Sequence, residues 1–164
     1  MIGPSSTRSG GIVIAKLISA TVFLGGTIAL ATAATPQCLK SNEIEAEQAI
    51  RFQAELMVVS DTCGAQTYTH FTRRNHEALK EYQQQVIERF RRTGGAHPEA
   101  RFDSYLTRLA NEISLRNGAQ PVDQVCHNAA SFLATADKLE HESFRRYVAA
   151  RAAENSSEFR RCSN

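Results

Sequence analysis

SNEIEAEQAIRFQAELMVVSDTCG, Ser41 to Gly64, opens on a capping pattern, turns apolar almost all round, and closes on Cys63-Gly64. Asn42 with Glu45 three residues later predicts a capping box, with Ser41 as the alternative cap. Glu43, Glu45 and Glu47 favour the positive end of a helix dipole. Ala46, Ile50, Ala54 and Met57 line one helical face, and Ala49, Phe52, Leu56, Val59 and Cys63 line its neighbour. Only a narrow polar stripe through Gln48, Arg51 and Glu55 remains. A helix this apolar belongs at the centre of a helical bundle. Gly64 is its natural stop.

Downstream, Tyr68, Phe71, Asn75, Leu79, Tyr82, Val86 and Phe90 predict one long amphipathic helix over residues 66–92. Pro98 suits the first turn of a third helix, which buries Phe102, Tyr105, Leu106, Leu109, Ala110 and Ile113 and stops at Asn117-Gly118. A fourth segment opens at Pro121 and turns Val122, Val125, Cys126, Ala129, Leu133 and Ala136 inward. It continues through Leu139, Phe144, Tyr147 and Val148. Asp137 with Glu140 reads as a second capping box, so a kink near residue 137 is expected. No stretch alternates as a strand does. The expected fold is all-α, an antiparallel four-helix bundle whose fourth helix is long or kinked.

The 164 residues suit one domain, and 42% hydrophobic residues with four Pro is an ordinary globular balance. Residues 1–33 read as a signal peptide, leaving 34–164 as a single helical domain. Arg8 and Lys16 supply the positive start, Leu17 to Leu30 the apolar run, and Ala31-Thr32-Ala33 the small residues of a cleavage site. Retention of the apolar run as an anchor is the competing reading. A lipid-attached form fits poorly, because Thr35-Pro36-Gln37 precedes Cys38. Without Arg8 and Lys16, 17 basic residues balance 17 acidic ones. That balance disfavours nucleic acid as a partner. The chain is therefore expected to be periplasmic or secreted, with no membrane attachment after cleavage.

Export makes the four cysteines two disulfides, with three possible pairings. The helix between Cys38 and Cys63 holds about 20 residues and spans ~30 Å, whereas a disulfide brings Cα atoms to about 5.5 Å. Cys38–Cys63 is thus excluded, and with it Cys126–Cys162. Short connections between antiparallel helices bring Cys63 and Cys126 to one end of the bundle. Cys38–Cys162 is left to staple the other.

Catalytic and cofactor motifs are sparse. Cys126-His127 lacks the first cysteine of a covalent haem motif, and neither a histidine pair at helical spacing nor Glu-x-x-His occurs. No metal ligand set and no cofactor is therefore expected. Three residues remain as functional candidates. Glu55 lies in the most apolar helix, where burial would raise its pKa, although Arg51 one turn earlier offers an ordinary ion pair. His127 beside Cys126 is a pocket candidate with Asn128, or simply a surface histidine. Asn111 shares a polar stripe with Thr107 and Ser114, of a kind that usually bonds across helices.

Ala54-Glu55-Leu56-Met57-Val58, Cys63, Leu109-Ala110-Asn111-Glu112-Ile113-Ser114 and Cys126 together resemble a group of small exported bacterial helical proteins of unknown function. These share a CL…ELMV…C…LAN…S…C arrangement over nearly the whole mature chain. The resemblance implies no activity, and it draws attention to Glu55 and Asn111. The function expected from the sequence is non-enzymatic: binding of a periplasmic protein partner or a small apolar ligand, or support of the envelope. The alternatives are a small periplasmic hydrolase or lyase using Glu55 with Asn111 or His127, and a non-covalent haem or metal carrier.

Overall fold

In a computed structural model, residues 38–94, 96–155 and 162 are described, and all fall within one compact unit, Ala34–Asn164. The expected signal peptide lies outside them. Among the described residues the regular structure is six α-helices and no sheet: α1 Ser41–Thr62, α2 Thr67–Arg74, α3 His76–Arg92, α4 Pro98–Gly118, α5 Val122–Ala136 and α6 His141–Glu154. No described helix is long and apolar enough to cross a membrane.

The apolar character of α1 has the expected consequence. Ile44, Ala46, Ala49, Ile50, Ala54 and Leu56 are buried to the point of near-zero exposure, and all five other helices pack on α1. Phe52 on α1 gathers an aromatic cluster. Its ring centroid lies 5.3 Å from Phe71 of α2, 5.0 Å from Phe132 of α5, and 5.7 and 5.3 Å from Phe144 and Tyr147 of α6. Tilted and edge-on pairs at such distances add to the energy of plain area burial.

Both ends of α1 are held. The N-cap is Lys40, not Asn42 or Ser41: its backbone N–H donates to the Glu43 carboxylate at 2.8 Å. At the other end Gly64 takes φ +63°, Gly64 N–H donates to Asp61 and Ala65 N–H donates to Ser60. These two bonds form a Schellman ending, and the left-handed residue in it favours glycine. The second glycine stop behaves differently. Gly118 is still helical, and α4 ends just before Pro121, which disfavours helix at the residue before it.

Two of the four expected helices are each divided in two. The helix expected over 66–92 breaks at Asn75, and the fourth segment breaks over residues 137–140. The two interruptions satisfy each other. The end of α5 leaves carbonyls without helical donors. Arg74 Nη2 donates to Asp137 O at 2.8 Å, and the fully buried Asn75 donates through Nδ2 to Leu139 O at 3.1 Å and Phe71 O at 3.0 Å. Backbone bonds Asn75 N–H to Phe71 O and Leu79 N–H to Asn75 O bridge the break, so it is a kink rather than a loop. The cap of α6 is Glu140 with Ser143, in place of Asp137 with Glu140.

Cys63 is bonded to Cys126 and Cys38 to Cys162. These are the pairs that the length of α1 and the antiparallel order favour. Cys162 N–H also donates to Leu39 O at 3.1 Å, so the backbone is paired beside this disulfide. The sequence separations are 63 and 124 residues, and closing loops of this size in the unfolded chain is worth ~4–5 kcal/mol each on the chain-entropy account.

Candidate functional site

The N-terminal half of α1 carries charge into the core. The Glu47 side chain is only 4% exposed. Its Oε1 accepts Arg51 Nε at 2.9 Å and the hydroxyl of Tyr105 from α4. Arg89 of α3 stands 3.0 Å from Oε2 as an ion pair, at an angle that leaves Oε2 without a hydrogen bond. Burial, and then the Glu47 carboxylate, push the Tyr105 phenol well above the ordinary tyrosine range. One turn earlier Glu43 pairs with Arg92 of α3. These acids dock α1 onto α3 and α4, beyond any role at the helix dipole.

Beside this network lies a cleft of about 590 Å³ walled by α1, α4, α5 and α6. Its apolar wall includes Phe52, Leu109, Ile113, Phe132 and Tyr147. Arginines of three helices are among its lining residues: Arg51 of α1, Arg116 of α4 and Arg151 of α6. Among the described residues, Glu55 is the carboxylate in the lining. Its side chain is 45% exposed and pairs with Arg116 at 3.4 Å, across the cleft, instead of with Arg51. Arg51 turns to Glu47 and thereby ties the buried network to the cleft.

Amides complete the wall. Asn155 Nδ2 donates to Gln48 Oε1 at 3.3 Å, and Asn128 Nδ2 to Gln120 Oε1 at 3.4 Å. Asn117 also lines the cleft, and its Nδ2 is buried with no hydrogen-bond acceptor among the described residues. A buried donor without a partner costs about 1–3 kcal/mol relative to a satisfied one.

The three candidate residues are not brought together. Glu55 is in this cleft. Asn111 is exposed in a more open groove along α4, beside Thr107 and the 77%-exposed Leu115. Thr107 bonds the Asp103 carbonyl of its own helix, so this stripe faces solvent and makes no cross-helix bond through Thr107. His127 is exposed on α5 and is not part of the cleft wall, although its neighbour Asn128 is. Among the described residues no three His, Cys, Asp or Glu side chains gather as a metal-holding group.

Sequence reasoning missed Glu47 and the arginine trio. Glu47 follows Ala46 and precedes Gln48-Ala49 on an almost wholly apolar helix, with Arg51 four residues on. An acid at such a place is a signal of buried pairing. Arg116 and Arg151 carried no local signal, because what makes them a site is the meeting of separate helices. Comparison with protein-family models, with curated proteins and with solved structures finds no match.

Proposed function

We propose that this chain is a non-enzymatic exported protein that binds a small ligand in the cleft between α1, α4, α5 and α6. The observation that carries the reading is the cleft itself. Its accessible lining is mostly polar and drawn from separate helices, with apolar side chains such as Phe132 and Ile113 beneath, and its volume is in the range of small-molecule sites. The residues a hydrolase or lyase would need do not converge: Glu55 pairs with Arg116, and neither Asn111 nor His127 lines its cleft. A general base must reach its partner within hydrogen-bond distance. The two disulfides suit an exported chain.

The same proposal includes cleavage of residues 1–33, a periplasmic location, and kinship with the small exported bacterial proteins that the sequence resembles. It treats α1, α2–α3, α4 and α5–α6 as the four antiparallel legs of a bundle, two of them kinked. The test is to express the full chain with its own leader in a bacterium with a periplasm. The mature protein is then recovered and weighed intact under native conditions. An added small-molecule mass, absent from Ala129→Trp, which fills the cleft wall, supports the reading. A turnover abolished by Glu55→Gln in a folded protein would overturn it.

A further inference from the structure

We infer that the cleft takes an uncharged, polyhydroxylated molecule, a short saccharide, whose hydroxyls bond the lining amides and whose ring face rests on Phe132 and Tyr147. This rests on the ligand-binding reading above and gives the ligand its chemistry. The arginines of the lining are already engaged. Glu47 holds Arg51 at 2.9 Å, Glu55 stands 3.4 Å from Arg116, and Glu154 stands 3.9 Å from Arg151. A charged ligand would give up its own hydration for a counter-charge that has a partner. A neutral ligand leaves all three pairs in place.

The amides are in the opposite condition. Asn155 Nδ2 donates to Gln48 Oε1, which leaves Gln48 Nε2 and Asn155 Oδ1 without a hydrogen bond among the described residues, and neither atom is sealed from solvent. Asn128 and Gln120 repeat the arrangement from α5 and the α4–α5 turn. Asn128 Nδ2 donates to Gln120 Oε1, leaving Gln120 Nε2 and Asn128 Oδ1 open on exposed side chains. Each pair therefore offers one free donor and one free acceptor, and a hydroxyl group both donates and accepts at a single oxygen. Asn117 Nδ2 is sealed beneath the wall and takes no part. Phe132 and Tyr147 are half-buried, so some ring surface is left uncovered. The negative face of an aromatic ring suits the C–H face of a pyranose. A peptide backbone also carries donors and acceptors, but its recurring extended mode needs a sheet edge, and the cleft is walled by helices.

Calorimetric titration of the mature protein with maltotriose, cellotriose and tri-N-acetylchitotriose tests the class. Glucosamine, gluconate and triglycine serve as the cationic, anionic and peptide controls. At least one trisaccharide should bind about tenfold or more tightly than every control. Raising salt from about 0.05 to 0.5 M should change its Kd by less than about twofold, because no charge is neutralised. Gln120→Ala and Asn128→Ala, both at exposed side chains, should each weaken it by roughly three- to tenfold with unchanged circular dichroism. A control that binds as tightly, binding that falls steeply with salt, or amide variants that bind the trisaccharide like the parent overturns the saccharide assignment and leaves a ligand-binding cleft standing. Failure of all three trisaccharides to bind also overturns it. The native mass measurement with Ala129→Trp judges the broader reading separately.

Discussion

Replacing Glu47 by Ala is the most demanding test of how α1 is held. The carboxylate is 4% exposed and serves Arg51, Tyr105 and Arg89, from three different helices. Its removal leaves the Arg89 guanidinium, 12% exposed, without the carboxylate it faces, and leaves the Tyr105 hydroxyl without its acceptor. Removing one partner of a buried pair costs about 3–5 kcal/mol. Arg51 is half exposed and can turn to water, so we take the lower end, about 3 kcal/mol. For a domain of this size that corresponds to a fall in Tm of roughly 10 °C. The assay is urea unfolding followed by far-ultraviolet circular dichroism without reductant, with the slope checked for constancy. The double variant Glu47→Met with Arg89→Met removes both charges and should recover about 1–2 kcal/mol of the loss, the remainder being the Tyr105 hydroxyl without its acceptor. Tyr105→Phe alone should cost about 1 kcal/mol, and its cycle with Glu47→Ala should show coupling because the two share a bond. A Glu47→Ala cost below about 1 kcal/mol, or no recovery in the double variant, refutes the reasoning.

Three further outcomes follow from the geometry. Asn75→Ala should lose about 1–3 kcal/mol, because Leu139 O is left buried without its donor; urea midpoints measure it, and amide exchange should quicken around residues 136–141. Burial first, and then nearby acids, raise the phenols of both Tyr105 and Tyr82 above the ordinary value of 10.0. A pKa raised on folding gives stability that is complete below the unfolded value and is lost as pH rises through the folded one. Stability should therefore fall above pH ~10, with the phenolate absorbance of Tyr82 and Tyr105 appearing only as the protein unfolds and with less loss in Tyr105→Phe. Replacing Cys38 and Cys162 together by Ser should lower stability by ~3–5 kcal/mol, while a non-reducing peptide map of the parent yields the Cys38–Cys162 and Cys63–Cys126 peptides.

Much of the scaffold was legible because it is written in local periodicity. The extent of α1, its glycine ending and its burial follow from apolar spacing and Gly64, and its length alone removes one disulfide pairing. Asn75 was placed on the inner face of a continuous helix, which its spacing supports. What it does there is bond a carbonyl 64 residues away, in a break opened by another segment, and no local pattern contains that. Glu47 reads as a partner of the helix dipole because it follows Glu43 and Glu45 near the start of α1. Its burial depends on Arg89 and Tyr105, which arrive from α3 and α4. The cleft is a still less local feature. Glu55 could be singled out as an acid on an apolar helix, yet its partner is Arg116 rather than the neighbouring Arg51. Asn111 and His127 were drawn from short motifs that carry no direction in space, and both are exposed outside the cleft wall.

Amide chemical-shift mapping of the mature protein, with and without the small molecule that native mass measurement shows it to carry, tests the central claim most directly. The account predicts shifts concentrated on the cleft walls, at Gln48, Glu55, Asn117, Asn128 and Arg151. Shifts centred on Thr107, Asn111 and Leu115 along the outer groove of α4, or no shifts at the cleft, would contradict it.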